Sequence, residues 1–364
     1  MLIEPTATPV PLPVQPAGTP WPTTEWALGD LPDFVDADVF GALVDRAFGP
    51  QPEPAFGESH ALLVVHHGRI VAERYGPGYD ETTPLLSWSM AKSVLHALVG
   101  ILADQGRLDP NAPAAVPEWS GPDDPRAAIT LIDLLRMVDG LDFNETYALP
   151  DPQSTDNPET AWSHCIDMLF GAGAADVAGY ASGRPLAAAP GTRFNYSSGT
   201  SNIVARIVGD LIGGPTEAPD WMRSHLFDPI GMTSAQATFD AAGTFVGSSY
   251  FHATARDWAR FGLLYLRGGK WDGHQVVPRD WVDQCRQTTA IDDDGGRYGT
   301  HWWTTDDGRG TFYASGFEIQ RVICVPANDL VVVRLGKTPQ ELYETPKSWL
   351  NDLIALFDQS PPTA

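Results

Sequence analysis

The sequence predicts an α+β protein in which both ends of the chain build one sheet layer and a helical domain is inserted between them. Three observations carry this. Apolar, β-branched runs with turn signals lie at 61–75 and again at 312–335. The stretch Ile129–His225 reads as mostly helical. Between them Trp88–Asp104 is apolar on every side, which marks a helix buried at the centre. At 364 residues the chain is long enough for two core-forming units, or for one large unit with an insertion.

Taken in order, residues 1–32 are rich in Pro, Thr and Ala and form an extended arm, ordered only where it lies on the body. Asp36–Phe48 is an amphipathic helix. Ala61–Val65 and Ile70–Tyr75 flank His67-Gly68, a hairpin signal. Trp88–Asp104 follows, with Ser87 as its N-cap and Gly106 as its stop. Thr130–Met137 and Ser201–Ile212 are the clearest helices of the middle, separated by loops at Gly140–Pro158 and Ala188–Gly199. Ala255–Arg267 is a helix with a strong apolar face, and Pro278–Cys285 is a shorter one. Phe312–Ala314, Ile319–Val325 and Leu330–Leu335 read as strands, with Pro326-Ala327-Asn328-Asp329 turning between the last two. Glu341–Phe357 is the closing helix. The implied domains are the arm 1–32, an α/β domain from 33–86 with 226–364, and a helical domain 87–225.

Composition narrows the function. The hydrophobic content of 43% and aromatic content of 10% suit a folded enzyme. A formal charge of −23 repels phosphate backbones and anionic lipid, so neither a nucleic acid nor a membrane is expected as partner. Cys165, Cys285 and Cys324 form no CxxC pair, so no zinc site or disulfide framework is indicated. The N-terminus has no Lys or Arg before Arg46 and therefore no basic leader region, which points to a cytoplasmic location. Oligomeric state is open.

Three short segments carry chemistry. The first is Ser89-Met90-Ala91-Lys92. The chain has only four lysines (Lys92, Lys270, Lys337 and Lys347), and one of them stands three residues after a serine at the head of the buried helix. Residues at i and i+3 share a helix face. A serine hydroxyl is a weak nucleophile until a neighbour takes its proton, and a neutral lysine amine in an apolar surround does so. Trp88, Met90 and Leu95 supply that surround. The second segment is Asn195-Tyr196-Ser197-Ser198, after the turn Ala189-Pro190-Gly191, where Tyr196 is placed to relay a proton. The third is Tyr313-Ala314-Ser315-Gly316-Phe317. A glycine on an inner strand lets a substrate lie close to the backbone, so the N–H groups of Phe317 and Ser89 are candidates for an oxyanion hole.

Ser89-x-x-Lys92, Tyr196-x-Ser198 and Ala314-Ser315-Gly316, in that order, resemble the penicillin-recognising serine hydrolases. These include class C β-lactamases, D-alanyl-D-alanine peptidases, β-lactamase-like esterases and 6-aminohexanoate-dimer (nylon oligomer) hydrolases. The likeness is nearest to the last group. It rests on Ser87–Ser93, on Ile129–Met137 leading to Gly140-Leu141, on Pro190–Thr192 through Tyr196–Gly199, and on Thr254–Gly262. It spans roughly residues 55–355. The resemblance implies a β-lactamase/transpeptidase-like fold, an antiparallel sheet flanked by helices with a catalytic cleft beside a helical domain. It implies a serine hydrolase acting on small ester or amide bonds through an acyl-enzyme on Ser89. Lys92 and Tyr196 would be its acid and base, the Ser89 and Phe317 amides its oxyanion hole, and Ser198, Ser315 and Gly316 part of substrate binding. It implies no cofactor, metal or catalytic histidine. Tyr147 falls where the nylon-oligomer hydrolases place a second tyrosine against the scissile amide.

The chain departs from the pattern at Ala314, where penicillin-binding members carry Lys and many esterases His or Trp. The cation that would hold a β-lactam or peptide carboxylate is missing, which argues against those two activities. Glu318 stands where relatives are glycine-rich, and is read mainly as a solvent-facing strand residue. His252, His301, Trp302 and Trp303 are read as cleft wall or core. A non-hydrolytic acyl-binding sensor and an acyltransferase remain alternatives on the same scaffold.

Overall fold

The computed structural model describes residues 1–4, 9–147 and 162–358. The second half of the Gly140–Pro158 loop therefore lies outside the described residues. Strands β1 (Glu58–His66) and β2 (Arg69–Tyr75) form a hairpin. His67 and Gly68 both take positive φ, 50° and 74°, as a two-residue turn between twisted strands requires. Short strands β3 (Leu85–Leu86), β4 (Gln236–Ala237) and β5 (Phe251–Ala253) make a separate sheet, and β6 (Lys270–Trp271) pairs with β7 (His274–Gln275). The remaining strands are β8 (Ala290–Ile291), β9 (Arg297–Tyr298), β10 (Trp303–Thr304), β11 (Phe312–Gly316), β12 (Gln320–Val325) and β13 (Leu330–Lys337). They complete an eight-stranded antiparallel sheet of order β2-β1-β13-β12-β11-β10-β9-β8. The two ends of the chain meet in the pairing of β1 with β13, from Glu58↔Lys337 to His66↔Leu330.

Both faces of this sheet are covered, which is why its inner strands read as unbroken apolar runs. Successive side chains point to opposite faces. Ala61, Leu63 and Val65 of β1, with Val331, Val333 and Leu335 of β13, join the core containing the helices Ala91–Asp104 and Ala255–Leu266. Leu62, Val64, Leu330 and Val332 face the other way, under Phe40 and Val44 of the helix Ala37–Phe48 and Trp349, Leu350 and Leu353 of the helix Glu344–Ala355. Gly262 lets the helix Ala255–Leu266 touch the sheet. A Cβ there would sit 2.7 Å from the Val322 and Val331 methyls.

Several boundaries differ from the sequence reading, each for a local reason. The central helix begins at Ala91, after a 3-10 turn at Trp88–Met90. Ser87 is not its cap. Its backbone is already helical, and its Oγ donates to the carbonyls of Trp88 (2.8 Å) and Ser249 (3.3 Å). The helix read as starting at Ser201 starts at Ser198, capped by Ser197 Oγ, which accepts from Thr200 N at 3.0 Å. Its first turn is polar yet buried, so the apolar period gave no sign of it. The helix at Thr130 ends at Leu135. Ile319 is not in a strand: Glu318 and Ile319 take φ of 60° and 62° in a 3-10 turn, and β11 continues to Gly316.

The arm lies on the body. Leu2 bridges Ala290, Arg260 Nε donates to the Pro22 carbonyl (2.7 Å), and Trp271 Nε1 donates to Thr23 Oγ1 (2.8 Å). All three cysteines are free and buried. Among the described residues no helix is long and apolar enough to cross a membrane.

Candidate active site

The 3-10 turn Trp88–Met90 packs against β11 and the start of β12, which brings Ser89 to the end of the sheet. Trp88 enters the turn with φ 45°, an unusual conformation for a large side chain that directs the chain into the helix behind it. Gly316 makes this packing possible. A Cβ on Gly316 would lie 2.2 Å from the Ser87 carbonyl oxygen. The glycine therefore admits the backbone that leads into Ser89, a tighter demand than the room for substrate inferred from sequence.

Lys92 is in the first turn of the helix and is 2% exposed. Its Nζ lies 3.0 Å from Ser89 Oγ, 3.1 Å from Ser198 Oγ and 3.0 Å from the Ser248 carbonyl oxygen. Ser198 is the first residue of the helix Ser198–Leu211. Its hydroxyl donates to Glu145 Oε1 at 2.5 Å, and its N–H donates to Glu145 Oε2 at 2.7 Å. The Glu145 carboxylate thus closes the exposed N–H end of a 14-residue helix, where the macrodipole favours an anion. The Tyr147 hydroxyl also donates to Glu145 Oε1, at 3.1 Å.

Tyr196 meets the lysine through its ring, whose centroid is 4.9 Å from Nζ. Trp303 and Tyr298 hold that ring at centroid distances of 5.5 and 5.9 Å. Among the described residues no hydrogen bond joins the Tyr196 hydroxyl to Ser89 or Lys92. The structure thus brings Ser89, Lys92 and Ser198 together through hydrogen bonds, and Tyr196 against them by ring contact.

Phe317 opens the turn after β11, and its ring packs edge-on to Trp88 (5.7 Å) and Tyr147 (4.9 Å). Beyond it the backbone is pinned. Arg334, wholly buried, donates to the carbonyls of Glu318 (2.7 Å), Ile319 (3.0 Å) and Phe56 (3.3 Å) and to Thr338 Oγ1 (2.7 Å). Burial lowers its pKa to about 9. Tyr343 accepts from Glu318 N–H at 2.7 Å. The Glu318 side chain is half-buried and accepts from Trp88 Nε1 at 3.1 Å. It ties the Phe317–Ile319 turn to the Trp88–Met90 turn, and is not the solvent-facing strand residue expected. Along β11, Ala314 is buried in the core with the central helix, while Ser315 falls on the opposite, half-buried face with Tyr313. Tyr147, Trp162 and Phe170 are exposed aromatics, and Phe170 contacts Tyr250 at 6.4 Å.

His301 is buried beside the lysine. His301 Nδ1 bonds the Lys92 carbonyl (3.0 Å), and burial lowers its pKa to about 3, so it is neutral. Trp302 is core, stacked near Phe261 and Tyr265. Beneath the site, Asp139 is buried and accepts from Leu141 N and Thr200 Oγ1, both at 2.8 Å; burial raises its pKa to about 6. Sequence reasoning missed Glu145, Asp139 and the Ser248 carbonyl. Glu145 lies two residues from Tyr147, in a segment already singled out, but a lone carboxylate carries no motif, and a backbone acceptor has no side-chain signature. Among the described residues no group of three or more His, Cys, Asp or Glu is arranged to hold a metal ion.

Residues 44–356 match the family model described as beta-lactamase. A 6-aminohexanoate-dimer hydrolase of Paenarthrobacter ureafaciens is 29% identical over 296 residues, covering 77% of this chain and 72% of that protein. Among solved structures, a Bacillus anthracis protein assigned to the 6-aminohexanoate-dimer hydrolases superposes with a TM-score of 0.70 at 22% identity, over 93% of this chain and 87% of its own. A family VIII carboxylesterase gives 0.64 at 13% identity, over 89% and 99% of the two chains. At these identities the structures establish the shared fold.

Proposed function

The chain belongs to the beta-lactamase family of serine hydrolases, and on that premise we propose that it cleaves small esters or linear amides through an acyl-enzyme on Ser89. One observation carries the reading: a buried lysine amine 3.0 Å from a serine hydroxyl at the head of a helix. In the neutral form that amine takes the Ser89 proton as Oγ bonds to the substrate carbonyl carbon. The carbonyl oxygen gains the negative charge, and the Ser89 and Phe317 N–H groups stabilise it. Collapse of the tetrahedral adduct breaks the C–O or C–N bond, and the leaving group takes a proton from the lysine side of the site. Tyr196, with its ring on Lys92, is the relay for that proton and for the one released when water attacks the acyl-enzyme. Tyr147, at the cleft edge, is the group that meets a substrate amide.

Two features support this substrate class. Ala314 puts no cation where a β-lactam or peptide carboxylate would bind. The relatives are named as a 6-aminohexanoate-dimer hydrolase and a family VIII carboxylesterase. Hydrolysis of p-nitrophenyl butyrate and of the linear 6-aminohexanoate dimer tests the reading. Turnover of either, abolished in Ser89→Ala with an unchanged circular dichroism spectrum, is the expected result. A stable acyl adduct without turnover would assign a sensor, and product formed only with an added alcohol or amine would assign an acyltransferase.

A further inference from the structure

In the neutral form that the base step requires, the three contacts of the Lys92 amine cannot be equivalent. A neutral lysine amine has two N–H bonds and one lone pair, and Nζ has three oxygen neighbours. The Ser248 carbonyl can only accept, so it takes one N–H. Ser198 Oγ is both donor and acceptor, and its choice decides the rest. An ionised carboxylate only accepts. With Glu145 Oε1 at 2.5 Å, the Ser198 proton is committed to Glu145, and Ser198 must accept from Lys92. The second N–H is thereby used. The lone pair is left for the remaining neighbour, the Ser89 hydroxyl, which then donates to it.

We propose that Glu145 is a positioning residue for the reaction: by holding the Ser198 hydroxyl as an acceptor, it aims the Lys92 lone pair at Ser89. Among the described residues the carboxylate accepts from the Ser198 N–H, the Ser198 hydroxyl and the Tyr147 hydroxyl, and the buried Cys165 thiol lies against both it and Ser198. The ammonium formed after proton transfer has three N–H bonds and three oxygen neighbours, so no group must turn over during the step. Without the carboxylate, Ser198 is free to donate into the same lone pair and compete with Ser89. This rests on the hydrolase reading above.

The test is a double-mutant cycle between Glu145→Gln and Ser198→Ala, read as kcat and KM for p-nitrophenyl butyrate on the alkaline plateau of the pH–rate profile. Glutamine keeps the size of the side chain but presents an NH2 to one of the two Ser198 donors. Glu145→Gln is expected to lower kcat roughly 10- to 100-fold, part of the 10²–10⁴ that a positioned base contributes, with KM within about twofold. In the Ser198→Ala background there is no hydroxyl to reorient, and the same change is expected to cost less than about threefold. Glu145→Asp, which keeps the acceptor on a shorter stem, should fall between Gln and wild type. Melting temperatures of all variants report folding separately. Additive losses in the cycle, or a Glu145→Gln enzyme as fast as wild type, overturn the inference while leaving the hydrolase reading intact. A wild-type protein with no hydrolytic activity overturns both.

Discussion

Gly316→Ala adds one methyl at the point where the turn carrying Ser89 meets β11, and the structure sets its consequence. The new Cβ would lie 2.2 Å from the Ser87 carbonyl oxygen, while a C···O contact of that kind needs about 3.2 Å or more. One backbone must retreat by about 1 Å. The oxygen belongs to main chain two residues before Ser89, and the glycine is the residue before Phe317, so the retreat separates the two candidate oxyanion donors. Losing one such donor costs roughly 10²–10³ in kcat, and a 1 Å misplacement has a similar effect. Overpacking costs about 1–3 kcal/mol of stability as well. Gly262→Ala separates these effects. It adds a methyl 2.7 Å from the Val322 and Val331 methyls, on the helix that backs the sheet. It should destabilise by a similar amount in urea unfolding and leave kcat within a few-fold of wild type. Ester kinetics for both variants decide the matter. Equal kcat in Gly316→Ala and Gly262→Ala, at equal stability, would refute the reasoning.

Three further outcomes follow from the same geometry. Asp139 holds its proton more tightly folded than unfolded, so its contribution to stability is greatest below about pH 4 and is lost as pH rises through about 6. Relative to wild type, Asp139→Asn should gain roughly 3 kcal/mol between pH 4 and pH 7 in urea unfolding, at 1.36 kcal/mol per pKa unit; a difference independent of pH would contradict this. Arg334→Ala leaves the carbonyls of Glu318, Ile319 and Phe56 without their buried donor, and should cost about 3 kcal/mol or more and lower kcat with KM little changed. Trp88→Phe removes the indole bond to Glu318 while keeping an aromatic ring against Phe317, and a several-fold loss in kcat is expected in the same ester assay.

The frame of the fold was legible because burial on both faces writes a strong pattern. The β-branched runs of β1, β12 and β13 and the all-round apolar helix behind Ser89 could be read directly. The errors cluster where polar residues are buried for the site's sake. Ser198, Thr200, Ser201 and Asn202 form the buried start of a helix, and no hydrophobic period announces them. Glu318 and Ile319 adopt left-handed backbone that neither residue type favours, held by Arg334 and Tyr343 from distant strand and turn segments. The Ser89–Lys92 pair was legible because it lies within one helical turn. The partners that orient it, Glu145 and the Ser248 carbonyl, come from loops 53 and 156 residues away from their contacts, and only the folded chain brings them in.

The most direct measurement is the rate and position of labelling by a fluorophosphonate probe, followed by intact mass and peptide mapping. One adduct is predicted, on Ser89, with its rate of formation lowered roughly 10³-fold or more in folded Lys92→Ala. Labelling at another residue, or a Lys92→Ala protein that reacts as fast as wild type, would contradict the account.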